Sequence, residues 1–483
     1  MRKSLLAICR LSFLLVGAVP ALTPAAWNHF DPGDTAKVPK KFSQTGFYSN
    51  MPNKTVTPEA AAFEVNTPLW SDNAVKSRWI LLKPGSAKVK FDPDSDYYEY
   101  PDGAVFVKLF QHDTIPGNAA SRIFWETRVL VNKKTLDSNS MKTFDYWYAF
   151  SYKWKPDGSE AYLVSPENGL DTSMTLWVNN KKTFRKWSFP SKNACNQCHR
   201  QYEKDMDAFQ GRAVLGFYTP QLNRPSVGDT NNQITRLFQK GILAWSKPTP
   251  NKAETAKMPK WAKDDDGTAS LDLRARAYIA ANCSGCHGER GKGTDATPHV
   301  TDLNYDFFKL AGGTLTPSME LRNVSVGIFD LEPITLNGKK IEPALIVPGH
   351  PEISVLLYRM KHRNRLTPDS VGAFTRDPGQ MPPLGVFEED TVATKMIAQW
   401  ITSLPEVASI RNGSAGPVAG APVLHGNILS LHATPGAKVS LMGLDGRKHA
   451  LTEISEGRYR LPAGLAPGLY LVGAGSRTFK LML

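Results

Sequence analysis

Hydrophobic and polar residues alternate along much of residues 45–190, as in strands that bury one face. Aromatic residues are dense there, in stretches such as YYEYPDGAVFVKLF, SRIFWETRVLVN, FDYWYAFSYKWKPDGSEAYLV and TLWVNNKKTFRKWSF. The Pro-Asp-Gly steps at 101–103 and 156–158 suit hairpin turns, because glycine accepts a positive φ. We therefore predict an aromatic-rich antiparallel β domain over residues 42–190, a sandwich or a similar fold. Its rings either fill the core or form a binding face.

Helical periodicity replaces this alternation after residue 269. Ser270 is suited to cap a helix in which Leu271, Ala275 and Tyr278 share one face, and this helix runs into Cys283.

A second helix is predicted within DTVATKMIAQWITSL, residues 390–404. Its apolar stripe ends before Pro405 and comprises Val392, Met396, Ile397, Trp400, Ile401 and Leu404. The acidic residues 388–390 fit a helix N-terminus, where negative side chains are favourable.

The chain ends carry different signals. Residues 1–21 read as a secretory signal peptide, because a basic start precedes a short apolar run and small residues, with cleavage after Ala21 or Ala25. Residues 427–483 return to short strands and turns, which predict a small C-terminal β-sandwich. We expect no transmembrane segment in the mature chain, since no later apolar run reaches about twenty residues.

These patterns predict a multidomain α+β protein with two chemically distinctive segments at 191–245 and 269–406. The second of these is expected to be all-α. Polar or Gly/Ala/Pro-rich linkers are predicted at 246–268 and 407–426.

The formal net charge is +13, or +10 without the three cations of the leader. A basic surface can steer an acidic redox partner or simply maintain solubility. The sequence holds no Lys/Arg-rich block and no nucleic-acid-binding motif, so we expect no nucleic-acid partner.

Cysteine usage is the sharpest chemical signal. Apart from Cys9 in the leader, every cysteine belongs to ACNQCHR (194–200) or NCSGCHG (282–288). Two thiols three positions apart can bond covalently to one porphyrin, and the adjacent histidine then reaches the iron; this is the attachment signature of c-type haem. The sequence thus predicts two covalent haem c groups, on Cys195, Cys198 and His199, and on Cys283, Cys286 and His287.

Three other readings fit less well. A zinc ribbon places its two Cys-x-x-Cys pairs about 15–20 residues apart, whereas Cys198 and Cys283 are far more distant. A thioredoxin-like site does not require the adjacent histidine. Two tight disulfides would strain the backbone and leave the repeated histidine unexplained.

The second haem needs a ligand on its other face, and Met381 in the Pro-rich stretch DPGQMPPLG is the candidate. A thioether there would raise the reduction potential and favour one-electron transfer. Met319 and Met360 are rivals, but Met360 fits a helix core and Met319 lacks the Pro-rich context.

The distal ligand of the first haem is open. Met258, in AKMPKW, offers a Met-Pro pair but lies in the predicted linker. Met206 follows His199 closely and would stay on the proximal side. His112 of the β domain can also reach over, or the position is vacant.

The order of helix, Cys-x-x-Cys-His, Gly-rich loop GERGKG, Met-Pro loop and aromatic-bearing helix resembles class I c-type cytochromes. The resemblance implies that Cys283 and Cys286 hold haem, that His287 is proximal and Met381 distal, and that the two helices cross beside the haem. The long gap between His287 and Met381 implies an insertion around 305–350.

Residues 42–406 resemble a poorly characterised family of exported dihaem c-type cytochromes. The stretches that carry the likeness are TPLWSDNAVKSRWILLKPG, GAVFVKLF, ETRVLV, WSFPSKNACNQCH, LGFYTPQLNR and RARAYIAANCSGCH. The tail, through GLDGR, GLAPGLYLV and TFKLML, resembles C-terminal sorting domains of type IX secretion. That likeness implies passage over the outer membrane; the alternative is an accessory β-sandwich.

The expected function is one-electron transfer at or outside the cell envelope, in the periplasm, on the outer-membrane surface or extracellularly. The partners would be the haem maturation machinery and a redox protein or terminal acceptor. One alternative is a dihaem peroxidase or oxidase with an open haem on His199, for which His112 and Arg122 are the nominal distal residues. The other is a surface-binding protein that uses an aromatic β face alongside its haems.

Overall fold

The structure, a computed structural model, describes most of the chain between residues 27 and 482. The described ranges are 27–93, 98–136, 141, 143–178, 181–199, 201–203, 208–210, 214–258, 260–263, 265–285, 308–311, 314–317, 334–336, 339–341, 343, 345–362, 380–383, 385–404, 423–425, 428–430, 439–443, 448–455, 458–462, 465, 469–474 and 477–482. The predicted signal peptide, residues 1–21, lies outside them.

Strands and short helices alternate through the first half of the chain. In order they are β1 (Tyr48–Asn50), β2 (Thr55–Val56), β3 (Ala61–Phe63), β4 (Val75–Leu81), β5 (Val89–Lys90), β6 (Val105–Asp113), β7 (Arg122–Leu136), β8 (Thr143–Trp154), β9 (Ala161–Leu163), β10 (Leu170–Val178), β11 (Lys181–Phe189), α1 (Lys192–Cys198), β12 (Gln201–Glu203), β13 (Ala208–Gln210), α2 (Thr219–Leu222), α3 (Gln233–Gln239), β14 (Leu243–Ala244) and α4 (Lys252–Lys257).

The second half begins with a longer helix and ends in strands. Its elements are α5 (Leu271–Cys283), β15 (Phe308–Ala311), β16 (Thr314–Pro317), β17 (Ile334–Leu336), β18 (Lys339–Ile341), α6 (Val355–Lys361), α7 (Thr391–Ser403), β19 (Val423–His425), β20 (Ile428–Ser430), β21 (Val439–Gly443), β22 (Lys448–His449), β23 (Thr452–Ser455), β24 (Arg458–Arg460), β25 (Leu469–Ala474) and β26 (Arg477–Met482).

A six-stranded antiparallel sheet in the order β3-β4-β6-β7-β8-β9 is the largest β element. Both of its faces carry hydrophobic residues, because alternate side chains of a strand point to opposite sides. One face packs on an N-terminal segment that includes Trp27, Phe42 and Phe47. The other packs on a later segment that includes Phe217, Leu237 and Trp261. The sheet is therefore covered on both sides.

Most aromatic rings of the β domain are buried, either in these two cores or in a third cluster that includes Phe110, Trp125 and Trp187. The tryptophans at 125, 147, 154 and 187 are all buried, and rings such as Tyr100 and Trp147 meet edge to face with centroids 5.2 Å apart. Trp177 and Phe184 are exceptions, exposed by 55% and 64% on the β10–β11 hairpin. Core packing thus accounts for most of the aromatic content, as hydrophobic burial favours.

The two Pro-Asp-Gly steps behave differently. Gly158 has a φ of +67° and turns the chain between the paired strands β8 and β9, as a hairpin requires. Gly103 also has a positive φ, of +73°, but it precedes β6, whose partners are β4 and β7. The step at 101–103 is therefore a turn without a local hairpin, because the strand that follows it pairs with more distant segments.

Helices α5, α6 and α7 pack around one hydrophobic cluster that includes Ile279, Leu357 and Ile397. Ser270 caps α5, as predicted, with its hydroxyl oxygen accepting from the Leu273 amide at 3.2 Å. The opposite side of α5 joins the core of the β sheet through Ala277 and Ala280. Because α5 contacts two cores, residues on more than one of its faces are buried.

Helix α7 follows its predicted stripe, with Met396, Ile397, Trp400 and Ile401 buried. Val392 differs, because it lies in the first turn and is 71% exposed.

Residues 246–268, interpreted as a linker, contain folded structure. Asn251 and Glu254 form a capping box at the start of α4, and Trp261 is buried against Tyr218 with ring centroids 5.4 Å apart. Most side chains of this segment are polar and face solvent, whereas its few apolar residues pack against the sheet core.

The chain divides into two compact units. The first comprises 1–333 and 342–406, and the second comprises 334–341 and 407–483. Within the second, two antiparallel four-stranded sheets, β19-β20-β24-β23 and β22-β21-β25-β26, contribute to one cluster containing Leu429, Leu441 and Val472.

The molecule is a mixed α and β protein with mostly antiparallel sheets, which confirms the predicted α+β class. The expectation that residues 269–406 are all-α is wrong, because the antiparallel pairs β15–β16 and β17–β18 lie within them. Among the described helices, none is both long and apolar enough to cross a bilayer.

Candidate haem-binding sites

The first Cys-x-x-Cys-His string lies on α1. Ser191 caps this helix by accepting from the Ala194 amide at 3.2 Å. Cys195 is half-buried, and Cys198 is the last residue of α1. His199 ends the helix, and its backbone N–H donates to the Cys195 carbonyl at 3.0 Å. The backbone of Cys195, Cys198 and His199 therefore lies within about one turn at the end of α1.

Helix α1 follows β11 directly, and β11 is anchored to the large sheet by Glu126. The Trp187 indole N–H donates to Glu126 Oε2 at 2.8 Å, and the Ser151 hydroxyl donates to Oε1 at 2.9 Å. Arg128 approaches both oxygens, at 2.7 and 3.0 Å. Because Glu126 is fully buried, these donors compensate a carboxylate that would otherwise be very unfavourable there.

The second string begins where α5 ends. Cys283 is the last residue of the helix and a free thiol, and burial raises its pKa to about 12. This pKa keeps the sulfur neutral at physiological pH, because a thiolate is poorly solvated there. Cys286 and His287 lie outside the described residues.

Helices α5 and α7 are locked together by a polar contact at their crossing. The Trp400 indole N–H donates to Asp272 Oδ1 at 2.8 Å, and Arg276 Nε approaches the same carboxylate at 2.8 Å. The Arg276 guanidinium also lies over the Trp400 ring, 5.5 Å from its centroid. This contact fixes the angle and register of the two helices that the cytochrome resemblance places beside haem.

Met381 is half-buried on a loop held against α6. Its backbone N–H donates to the Arg359 carbonyl at 2.9 Å. The neighbouring Gln380 amide donates to the carbonyls of Pro382 and Val386, at 3.1 and 2.8 Å. Hydrogen bonds therefore restrain the loop backbone at Met381 itself and in the residues that follow it.

Asp72 holds the same loop from the β domain. Its buried carboxylate accepts from the amides of Phe387 and Glu388 at distances between 2.9 and 3.0 Å. Trp70 adds two bonds nearby, from its amide to Asn282 and from its indole to the Glu388 carbonyl. The segment preceding β4 thus contacts both α5 and the loop that follows Met381.

Replacing Asp72 by alanine should lower the free energy of unfolding by about 2 kcal/mol, because two buried amides would lose their acceptor. Asp72 also has a φ of +49°, a conformation that asparagine tolerates better than alanine. Asp72→Asn should therefore cost less, and denaturant unfolding of both variants checks this. Equal losses in both would mean that the carboxylate–amide bonds do not stabilise the loop.

The other methionines considered as haem ligands lie in different parts of the chain. Met360 is buried in the α5–α6–α7 cluster, as expected for a helix-core residue. Met258 is half-buried at the end of α4 and packs against the core of the β sheet, and its role as the first haem's ligand stays a prediction. Met206 and Met319 lie outside the described residues.

His112 and Arg122 lie at one end of the large sheet. His112 is buried against Trp125, with ring centroids 3.9 Å apart, and burial lowers its pKa to about 3. Its Nε2 has no hydrogen-bond partner in the described part of the molecule. Arg122 is paired with Asp113 at 2.6 and 3.3 Å. A neutral imidazole could accept a proton or ligate a metal, whereas Arg122 is already engaged by a carboxylate.

The residues at hand fit covalent haem. The cysteines at 195 and 283 are half-buried at helical positions, and a half-buried thioether is available at Met381. These are the donor types that c-type haem uses. Sequence reasoning did not identify Asp72 or Glu126 as supports, because neither belongs to a local motif.

Comparison with protein families, curated proteins and solved structures finds no match to this chain. Within the described ranges, no three His, Cys, Asp or Glu side chains gather as a metal site.

Proposed function

We propose that this chain is an exported dihaem c-type cytochrome that transfers single electrons at the cell envelope or outside it. The observation that carries the proposal is the pair of Cys-x-x-Cys-His strings, which together hold every cysteine after the leader. Further support comes from the placement of Cys195 and Cys283 on helices, both half-buried. Haem c, when bound, supplies a reversible one-electron couple.

The chain's own residues would each have a defined task. Cys195, Cys198, Cys283 and Cys286 would hold the two groups covalently, and His199 and His287 would ligate from the proximal side. Helices α5 and α7 would exclude water around Cys283, which packs against their shared cluster. Met381 would donate a thioether, which favours the reduced state and raises the potential.

The basic composition and the tail bear on location and partners. A net charge of +13 suits an acidic redox partner, and the tail's likeness to type IX sorting domains supports a destination beyond the periplasm. Most sheet aromatics are buried, which favours electron transfer over an aromatic binding face.

The test removes the cysteine pairs separately. Cys195→Ser/Cys198→Ser and Cys283→Ser/Cys286→Ser should each retain one haem instead of two, and the quadruple variant none, because thioether bonds need the thiols. Pyridine haemochrome absorbance per protein and intact mass of material from a maturation-competent host measure this. Cys9→Ser, in the leader, is the matched control and should retain both haems.

A pair variant that keeps two haems would contradict the assignment of that pair. Consumption of hydrogen peroxide together with a high-spin haem that disappears in Cys195→Ser/Cys198→Ser would instead support the peroxidase alternative.

A further inference from the structure

A cleft of about 420 Å³ lies between the large sheet and the start of helix α7. Strand β4 contributes Lys76 and Arg78 to its wall, α5 contributes Tyr278, and the residue preceding α7 is Asp390. Apolar walls are provided by Val65, Leu69 and Trp70. Cavities of this size that combine apolar walls with a few convergent polar groups are typical of small-molecule sites.

Cations are placed side by side across the sheet at this cleft. Arg78 of β4 is the direct neighbour of Lys108 of β6, and Lys108 is the direct neighbour of Arg128 of β7. Like charges in directly opposed positions destabilise a sheet. A row of three therefore lowers stability unless negative groups compensate it.

A direct ion pair is formed at only one end of this row of cations. Arg128 is paired with Glu126 through two short contacts. Among the described residues, no hydrogen bond or ion pair reaches the Arg78 guanidinium. The Lys108 amino group lies 4.8 Å from the centroid of the Phe110 ring, and burial holds its pKa well below the ordinary value. Burial lowers the pKa of Arg78 to about 10, so it is still charged at neutral pH. Arg78 thus presents to the cleft a charged guanidinium that has no hydrogen bond or ion pair among the described residues.

The acids beside the cleft already have partners. Glu64 pairs with Arg224 at 2.6 Å. Asp390 accepts from the Tyr278 hydroxyl at 3.1 Å and caps α7 by accepting from the Ala393 amide at 3.0 Å. The Glu64 charge favours the charged form of Arg78, but neither carboxylate forms an ion pair with its guanidinium among the described residues.

We propose that this cleft binds a carboxylate group, with Arg78 as the principal contact and Lys76 as a supporting charge. A guanidinium fork matches a carboxylate in two parallel hydrogen bonds, and the apolar walls suit a short carbon skeleton. The carboxylate belongs to a diffusible organic acid or to a haem propionate of this chain. Only the second source depends on the proposed function.

Binding should depend on pH through Lys76. Burial, followed by the nearby Arg78 charge, lowers the pKa of Lys76 to about 7, and its ammonium donates to the Leu69 carbonyl at 2.7 Å. The charged and titratable groups around it are Asp72, Arg78, Lys108, His112, Arg128 and Asp390 with its donor Tyr278. Above pH 7 a bound anion must draw a proton to Lys76, so affinity should fall as pH rises from 7 to 9.

The experiment titrates succinate into the haem-loaded full chain by calorimetry, since its two carboxylates stay ionised from pH 7 to 9. Arg78→Gln should weaken binding at least about tenfold, through loss of a charge-assisted pair. Arg78→Lys should fall between Arg78→Gln and wild type. Lys83→Gln removes an exposed cation just past the end of β4 and is the matched control, with affinity unchanged. Lys76→Gln should flatten the pH dependence.

A second measurement distinguishes the two sources. Succinate binding that depends on Arg78 supports a diffusible acid. Failure of succinate to bind, with a lower midpoint potential of one haem in Arg78→Gln but not in Lys83→Gln, supports a haem carboxylate, because loss of a nearby cation favours the oxidised state. Binding that is indifferent to Arg78, or no binding and no potential shift, would overturn the proposal.

Discussion

Replacing Glu126 by alanine should lower the free energy of unfolding by about 3–5 kcal/mol, the usual cost of breaking a buried ion pair. The fully buried carboxylate accepts from Arg128, Trp187 and Ser151. Its removal leaves a guanidinium, an indole and a hydroxyl without their acceptor. Because Trp187 lies on β11 and α1 follows that strand, the first Cys-x-x-Cys-His string should also lose order. Denaturant unfolding and hydrogen exchange of residues 181–199 measure the two effects.

Glu99 offers a matched control for that variant. It is paired with Lys90 at 3.0 Å, but both side chains are largely exposed, so Glu99→Ala should cost less than about 0.5 kcal/mol. The double variant Glu126→Leu/Arg128→Met should be less destabilised than the sum of Glu126→Leu and Arg128→Met, since it leaves no unpaired charge. Similar losses for Glu126→Ala and Glu99→Ala would refute the stabilising role of this network.

Replacing Met381 by alanine should convert one of the two haems from low-spin to high-spin. The thioether is the candidate distal ligand of the second haem, and alanine leaves that coordination position open or to water. The midpoint potential of this haem should fall by on the order of 0.1 V, within the range of about 0.8 V that axial ligands span. Paramagnetic resonance and a spectroelectrochemical titration measure the two changes, and the sulfur-to-iron charge-transfer band should disappear.

Two further variants test whether that change is due to loss of an iron ligand. Met381→His should restore the low-spin state at a lower potential than wild type, because imidazole stabilises the oxidised iron more than a thioether does. Met360→Leu removes a buried sulfur from the cluster of helices α5, α6 and α7 with little change of volume, and its spectrum should match wild type. An unaltered spectrum in Met381→Ala would exclude Met381 as the ligand.

Local signals were enough to predict several elements. Ser270 and Asp390 cap α5 and α7 as their residue types indicate, and the period of the apolar residues identified the buried side of α7. Gly158 turns between paired strands because only its immediate neighbours are involved. These features depend on interactions within a few residues, which a single sequence displays directly.

Features that depend on distant pairings could not be predicted in this way. Asp72 and Phe387 are more than three hundred residues apart, and Lys108 acquires Arg78 and Arg128 as neighbours only through strand order. Trp261 was assigned to a linker because its partner Tyr218 lies far away in sequence. Alternation shows which side of a strand faces inward, but it does not show which strand lies beside it.

The most direct measurement of the central claim is the haem content of the purified wild-type chain from a maturation-competent host. Intact mass under denaturing conditions and pyridine haemochrome absorbance should both give two covalently bound haems per chain. A colourless product whose mass equals that of the mature polypeptide alone would contradict the account.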